Sequence, residues 1–327
     1  MRIGMALPHY DFSFPDGGPA TVERVLAYAR RAEAVGFDSV WVSDHLFLDL
    51  GRYGGPDERY GTPEALSTLA VLAAGTERVG LGALVLCAPF RPAPVTALAA
   101  AGIHEVSGGR LDLGLGAGWY EAEFRAAGLQ YGSAGERLAH LRTYVGTVRS
   151  ALEHGAARAP EGDPPRWSGP AKDRPGVWVG GKGGPKVARI VAEHADGWNV
   201  VWRMTPEDYG ARLHVLRGAC DDAGRDPDTV RLSIGLYTLL GTDDADLAKR
   251  FEAMRAWAPG GVLDGTTLGS FADGALAGTP EQLAERIERF EALGVEEIIL
   301  GFGALPFSLP DDEQLDLARD LLPLVRR

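Results

Sequence analysis

The sequence has few of the features that mark a disulfide scaffold, a polyanion-binding protein or a membrane protein. Its 327 residues include only two cysteines, Cys87 and Cys220, which lie far apart and show no metal-ligand spacing. We therefore expect neither a disulfide framework nor a metal site. Acidic residues outnumber basic ones and the formal net charge is -12, which argues against a nucleic-acid surface or an anionic membrane surface.

Long apolar runs are also missing. The first residues, Met1–Leu7, are apolar for a few positions only and are then interrupted by Pro8, which is too short for a signal peptide or a membrane span. We expect a cytoplasmic protein with no membrane partner. The hydrophobic content of 45% and the charged content of 24% are ordinary for a globular protein.

The chain repeats one pattern, an apolar strand followed by an amphipathic helix. In the first unit Ile3–Leu7 predicts a strand, Thr21 caps a helix with apolar residues at helical spacing, Gly36 ends it, and Asp38–Val42 predicts the next strand. The same pattern predicts six further strands: Val79–Leu86, Leu111–Leu115, Val177–Val179, Ala195–Val201, Val230–Leu240 and Glu297–Leu300.

Eight strand–helix units are the number that closes a (β/α)8 TIM barrel. We predict this α/β fold as a single domain over residues 1–327, with insertions. An open doubly wound sheet is the alternative, because strand order cannot be read from the sequence. The polar, proline-rich segment Gly155–Pro175 is interpreted as an insertion between elements.

Active sites of barrels form where the strands end, so residues at the predicted strand ends are candidates for the site. These candidates are His9, Asp44, His45, Cys87, Gly116, Gly118, Trp119, Gly180, Gly181 and Trp202. The set is apolar, aromatic and rich in glycine. It suits a large flat ligand better than a metal cage or a pair of catalytic carboxylates.

Asp44 and His45 follow a predicted strand directly. His45 alone could be a core histidine bonded to a backbone carbonyl, and Asp44 could cap the next loop. Their joint position at a strand end favours a functional role for both. His9 also follows a strand, and we treat it as a candidate for the substrate pocket.

Two glycine-rich stretches follow strands. Gly180–Gly184 precedes a helix at Pro185, so several backbone N–H groups can bind one anion, with Lys182 adding charge; a plain flexible turn is the alternative. Gly116-Ala117-Gly118 begins like a dinucleotide fingerprint but is not completed as one. It indicates instead that the backbone passes close to a bulky group.

Five groups of residues, in order along the chain, resemble the bacterial luciferase-like monooxygenase superfamily, and within it the actinobacterial oxidoreductases that use coenzyme F420, a deazaflavin. The groups are Gly36–Trp41 with Ser43–His45, Arg78–Gly82 leading to Phe90–Pro92, Ser107–Trp119, Val179–Gly181 with Ala195–Asn199, and Gly278–Glu281. The resemblance covers most of the chain.

The resemblance implies a barrel that holds a flavin or deazaflavin at the carboxyl ends of its strands, and usually a homodimer. Asp44 and His45 match the family's Asp-His at the cofactor, and Leu84-Val85 matches a position that often has a non-proline cis peptide. Gly180 and Gly181 match the part that holds the cofactor phosphate. The remaining residues assigned to the cofactor are Cys87, Gly116, Gly118, Lys182 and Gly183.

The chain departs from the family's sugar-phosphate dehydrogenases at two positions. Trp119 stands where they carry a proton-donating glutamate, and Asp49 stands where they carry a tryptophan. We therefore do not expect that activity. Trp119 and Tyr120 would form a wall of the substrate pocket, with His9 and Trp202 also lining it, and Tyr120 or Glu121 could supply a proton.

The sequence thus predicts an oxidoreductase that transfers a hydride between coenzyme F420 and a small organic substrate. His45 would orient the substrate or exchange a proton, and Asp44 would fix the tautomer or position of His45. One alternative is an FMN-dependent monooxygenase that receives reduced flavin from a partner reductase and uses oxygen. Another is a non-catalytic flavin-binding protein. No motif identifies the substrate.

Overall fold

Eight parallel strands alternate with helices through residues 1–154 and 174–326, which are the residues that the computed structural model describes. The strands are β1 (Arg2–Ala6), β2 (Ser39–Val42), β3 (Gly80–Ala83), β4 (Leu111–Gly116), β5 (Gly176–Gly180), β6 (Gly197–Trp202), β7 (Arg231–Leu240) and β8 (Glu297–Phe302). Each strand pairs with the next, and β8 pairs with β1, so the sheet closes. The predicted TIM barrel is confirmed.

A helix follows each barrel strand. These helices are α1 (Val22–Val35), α2 (Ala65–Gly75), α3 (Ala93–Val106), α4 (Ala134–His154), α5 (Pro185–His194), α6 (Pro206–Asp222), α7 (Pro280–Glu291) and α8 (Glu313–Val325). Further helices lie in the loops at Glu121–Ala126, Asp244–Trp257 and Leu268–Ala272. Among the described residues, none of these helices combines the length and hydropathy that a membrane span requires.

The predicted start and stop signals of α1 are confirmed. The Thr21 hydroxyl accepts a hydrogen bond from the backbone N–H of Arg24, which satisfies one of the free donors of the first turn. Gly36 ends the helix with φ 109°, a left-handed conformation that a residue with a Cβ rarely adopts. The chain then enters β2 after two residues.

Alternate side chains of β2 belong to two different hydrophobic cores. Val40 and Val42 of β2 pack with Val25 and Ala29 of α1 in the large cluster between the sheet and the helices. Trp41, between them, belongs to a second cluster at the barrel mouth. The Trp41 ring lies against Gly82, where an added Cβ would be 2.1 Å from the ring, so the barrel interior has room for this indole only beside glycine.

The structure differs from the expected elements in the loops. The run Val79–Leu86 is not one strand: β3 ends at Ala83, a cis peptide bond joins Leu84 to Val85, and Leu86–Cys87 then pairs with β4. A second cis peptide bond joins Val201 to Trp202. Most of the predicted insertion, residues 155–173, lies outside the described residues, so a single domain over 1–327 stays a prediction.

The segment predicted as the loop Leu48–Gly61 contains regular structure. Phe47–Asp49 pairs with Arg59–Gly61 as an antiparallel hairpin, and a turn of 3-10 helix, Gly51–Tyr53, lies between them. The turn contacts the segment after β7, since an added Cβ at Gly54 would be 2.9 Å from the carbonyl oxygen of Gly261. The hairpin therefore extends across the mouth of the barrel.

Candidate active site

A cavity of about 680 Å³ opens at the carboxyl end of the barrel and is lined by residues that lie in, or follow, each of the eight strands. Twelve of the site residues expected from the sequence line it: Asp44, His45, Leu84, Val85, Cys87, Gly116, Gly118, Trp119, Gly180, Gly181, Lys182 and Trp202. The volume is within the range of small-molecule and cofactor sites. The lining does not include three other expected residues, His9, Tyr120 and Gly183.

His45 forms a hydrogen bond with Glu123, a residue that the sequence did not single out. The Nδ1 atom of His45 lies 2.8 Å from Oε2 of Glu123, and the backbone N–H of Leu46 donates to Oε1 at 2.6 Å. Glu123 is only 2% exposed and comes from the short helix Glu121–Ala126 after β4. Both carboxylate oxygens therefore accept from the loop that carries His45, which fixes the imidazole ring and leaves Nε2 as its other reactive atom.

Asp44 does not hold His45, and the role expected for it is wrong in this respect. Its carboxylate accepts two hydrogen bonds from Arg91, at 2.7 and 2.8 Å, and a third from the backbone N–H of Cys87 at 2.9 Å. Arg91 also donates to Glu64 at 2.5 Å. Asp44 thus ties the end of β2 to the segment after β3. Burial, reinforced by the charge of Asp44, raises the pKa of the Cys87 thiol.

His9 lies beneath the cavity and acts within a fixed hydrogen-bond chain. Its Nδ1 atom is 2.8 Å from the carbonyl oxygen of Leu7, and its Nε2 atom is 2.9 Å from the hydroxyl of Ser43. Burial lowers the pKa of His9 to about 3, so the ring is neutral at pH 7. The carbonyl fixes the proton on Nδ1, so Ser43 donates to Nε2 and Tyr10 donates to Ser43 at 2.5 Å.

Tyr120 and Glu121 are also placed differently from the expectation. The Tyr120 ring stacks on Trp119 with centroids 5.2 Å apart, and within the described residues its buried hydroxyl has no hydrogen-bond partner. Glu121 points to the surface and pairs with Arg125 at 2.6 Å. Neither residue lines the cavity, so neither is positioned to supply a proton there.

The loop between β5 and α5 can bind an anion. The N–H of Gly181 donates to the carbonyl of Asn199 at 3.1 Å, whereas the N–H groups of Lys182, Gly183 and Gly184 have no backbone acceptor in the described part of the chain. Lys182 lines the cavity and has no carboxylate partner among these residues. Gly183 does not line the cavity but has φ 72°, which allows the turn. Free N–H groups at a helix N-terminus favour phosphate.

The floor of the cavity requires glycine at two strand ends. An added Cβ at Gly116 would lie 2.5 Å from a methyl group of Val85, and one at Gly180 would lie 2.6 Å from the other. Val85 therefore fits between the ends of β4 and β5 only because neither residue has a side chain. The resulting surface is apolar and carries no side chain at either strand end.

The opposite wall is aromatic. Trp202 stacks on Tyr237 with ring centroids 5.6 Å apart, and its other neighbour Phe307 meets it edge-on at 5.1 Å. Trp119 meets His45 edge-on at 5.6 Å. The cavity therefore combines an apolar floor with glycine at two strand ends, the imidazole of His45, an anion-binding loop and aromatic walls.

The sequence contained signals for some of the residues that were missed. Arg91 lies inside one of the segments that carry the family resemblance, and Ser43 directly precedes the Asp-His pair. Glu123 lies in the segment that directly follows the Gly116–Trp119 stretch, but its spacing does not single it out. None of these patterns states which side chain bonds to which.

The comparisons with known proteins agree with this geometry. A family profile described as luciferase-like monooxygenase matches residues 1–297. The chain belongs to this family. Relatives include a 5,10-methylenetetrahydromethanopterin reductase from Methanolobus tindarius, which is 27% identical over 319 residues, 86% of this chain and 90% of the relative.

An F420-dependent glucose-6-phosphate dehydrogenase from Amycolatopsis mediterranei is 32% identical over 241 residues, 72% of this chain and 69% of that protein. Among solved structures, an F420-dependent secondary alcohol dehydrogenase in complex with an F420-acetone adduct superposes with a TM-score of 0.79. It covers 100% of this chain and 99% of its own, at 22% identity, which supports the fold. These luciferase-like relatives are oxidoreductases.

Proposed function

We propose that this chain is an oxidoreductase that transfers a hydride between coenzyme F420 and a small organic substrate. The observation that carries the proposal is a cavity whose lining joins a floor with glycine at two strand ends, an anion-binding loop and the His45–Glu123 pair. Two similar proteins with F420 in their names, a dehydrogenase for a sugar phosphate and one for secondary alcohols, support the choice of cofactor.

The residues of the cavity fit such a group. Leu84, Val85 and Gly116 would contact the face of the planar ring system, while Lys182 and the free N–H groups beside it would hold the phosphate. When bound, the cofactor supplies the hydride chemistry, and the protein contributes position and exclusion of water. The remaining cofactor contacts that we propose are Cys87, Gly118, Gly180 and Gly181.

His45 would move the proton that accompanies the hydride. With its Nδ1–H donated to Glu123, neutral His45 can accept the proton of a substrate hydroxyl at Nε2 as the alcohol is oxidised. In the reverse direction the imidazolium donates from Nε2 to a carbonyl oxygen, and the Glu123 carboxylate compensates the ring charge. Asp44 is a positioning residue in this scheme, since it acts through Arg91 and the Cys87 amide.

Sugar phosphates are not the substrates that we propose, despite the relative from Amycolatopsis mediterranei. Trp119 and Asp49 occupy the two positions at which the chain departs from that group, and the structure places Asp49 in the hairpin rather than in the cavity lining. The expected homodimer and the cytoplasmic location stay predictions.

Turnover assays test the proposal. The protein should convert members of a panel of small alcohols with oxidised F420, or of aldehydes and ketones with reduced F420, as followed by deazaflavin absorbance. H45A should bind the cofactor as the parent does and lose turnover, which a storage protein would not show. Turnover with reduced FMN and oxygen, and none with F420, would establish the FMN-dependent monooxygenase instead.

A substitution of Glu123 tests whether its hydrogen bond positions the His45 ring. E123Q leaves one carbonyl oxygen to accept from both His45 and the Leu46 N–H, and a hydrogen bond to a charged group is worth about 1.5–3 kcal/mol. We expect a fall in kcat of about tenfold or more and a changed 15N signal of the His45 ring. E121Q, two residues away on the surface, is the matched control and should behave as the parent. Equal kcat values for the two variants would show that Glu123 does not position His45.

A further inference from the structure

The cavity carries positive charge that the anion-binding loop at Lys182 does not account for. Two more cationic residues, Arg52 and Arg203, line it. They come from opposite parts of the barrel mouth, since Arg52 lies in the turn Gly51–Tyr53 after β2 and Arg203 directly follows β6. Arg203 lies beside Tyr237 of β7, with its guanidinium carbon 5.7 Å from the ring centroid, and Tyr237 lines the same cavity as Arg52.

Arg52 is held in place by an aromatic ring rather than by an acid. Its guanidinium carbon lies 4.1 Å from the centroid of Trp119 and 5.9 Å from that of Tyr53. Within residues 1–154 and 174–326 it has no carboxylate partner and no hydrogen bond. Stacking orients the plane of a guanidinium while leaving its N–H edge available to a planar oxyanion.

Arg203 is anchored more rigidly. Its Nη1 atom donates to the carbonyl oxygens of Ser270, Phe271 and Asp273 at 3.0–3.4 Å. These bonds fix the side chain without neutralising its charge, because carbonyl groups carry no net charge. Arg203 therefore adds a fixed positive charge to the cavity that Arg52 also lines.

The acids of the cavity do not balance these cations. Among the described lining residues, the carboxylates are those of Asp44, which is paired with Arg91, and Glu123, which accepts a hydrogen bond from His45, whereas the cations are Arg52, Lys182 and Arg203. The lining therefore has an excess of positive charge in a chain whose formal net charge is -12. A positive cavity in an acidic protein is expected to concentrate anions.

We infer that the substrate is an organic carboxylate with a planar apolar body, bound with its carboxylate on Arg52 and its body between Trp119 and Trp202. This inference rests on the proposed oxidoreductase function and adds the substrate class to it. A guanidinium fork binds a carboxylate with two parallel hydrogen bonds, which gives orientation as well as affinity. Tyr53 and Tyr237 line the same region and can donate further hydrogen bonds.

The test compares 4-carboxybenzaldehyde with 4-methylbenzaldehyde, which have similar sizes but differ in charge. Calorimetry on the F420-loaded protein and on the cofactor-free chain should show at least tenfold tighter binding of the carboxylate probe. R52M should remove that preference and leave the binding of the methyl probe unchanged. R59M is the matched control, because Arg59 stacks on Phe47 in the same hairpin and does not line the cavity.

Three results would overturn the inference: no measurable binding of 4-carboxybenzaldehyde at millimolar concentration, equal binding of the two probes, or equal effects of R52M and R59M. A tenfold loss of F420 affinity in R52M would also overturn it, since Arg52 would then serve the cofactor. If F420 itself fails to bind the parent protein, the proposed function fails, whereas the probe comparison on the cofactor-free chain still decides the role of Arg52.

Discussion

Breaking the ion pair between Asp44 and Arg91 by removing one partner should destabilise the protein far more than breaking an exposed ion pair does. The Asp44 side chain is 2% exposed and that of Arg91 is 17% exposed. R91M removes the two guanidinium hydrogen bonds to Asp44 and the one to Glu64, and it leaves the Asp44 carboxylate with the Cys87 N–H as a partner. Breaking a buried pair costs about 3–5 kcal/mol, and because the Cys87 bond survives we expect the lower end, about 3 kcal/mol.

A double-mutant cycle separates the pair from its surroundings. D44N keeps an oxygen for the Cys87 N–H but removes the charge, so D44N/R91M no longer buries an unpaired carboxylate. We expect the double variant to be more stable than the sum of the single effects predicts, by about 2 kcal/mol. Equilibrium unfolding in urea measures all four free energies of unfolding.

The control cycle uses Glu121 and Arg125, whose side chains are 49% and 77% exposed. A helical surface pair of this kind is expected to contribute about 0.5 kcal/mol or less. The reasoning is refuted if R91M costs less than about 1 kcal/mol, or if the two cycles give the same coupling energy.

Two further predictions concern the cavity floor and the residue beneath it. G180A should lower the free energy of unfolding by about 1–3 kcal/mol and weaken cofactor binding, because the added methyl group meets Val85. G184A is the control and should have the melting temperature of the parent, because nothing lies within 4 Å of an added Cβ there. Equal melting temperatures of G180A and G184A would contradict this prediction. Burial lowers the pKa of His9 from its ordinary value of 6.5 to about 3 in the folded protein. The neutral ring therefore makes its full contribution to the free energy of unfolding above about pH 6.5, and this contribution is lost as the pH falls towards the folded pKa. Between about pH 8 and pH 5 the free energy of unfolding of the parent should fall by about 2 kcal/mol because of His9. Urea unfolding of H9N should show a pH dependence that is smaller by this amount, and the same pH dependence in H9N and the parent would contradict the prediction.

The barrel could be predicted from the sequence because each unit carries its own local signals. Thr21 and Gly36 mark the ends of α1, and the apolar run before Asp44 marks β2. Once the strand count suggested a barrel, residues after the strands were expected to converge. Twelve of the expected residues do line the cavity.

Side-chain partners could not be predicted in the same way. His45 is adjacent in sequence to Asp44, but successive residues point in different directions, and the imidazole meets Glu123 from the next loop but one. His9 follows Pro8 and turns under the cavity, where it is 2% exposed. Tyr120 stacks behind Trp119 because the short helix begins at the next residue.

The end of β3 at Ala83 could not be predicted from the sequence pattern either. Leu84-Val85 lies inside a continuous apolar run, so periodicity alone extends the strand to Leu86. Only the resemblance to the luciferase-like family indicated an unusual peptide bond there. Glycine is needed at 116 and 180 because Val85 packs against both positions. Val85 follows β3, Gly116 ends β4 and Gly180 ends β5, so this contact joins segments that are far apart in the sequence.

The most direct test of the account is a pair of titrations of the purified protein, one with coenzyme F420 and one with FMN. Trp119 and Trp202 line the cavity, so quenching of tryptophan fluorescence reports on occupancy. The account predicts saturable F420 binding that is at least tenfold tighter than FMN binding. Tight binding of FMN without binding of F420 would contradict it.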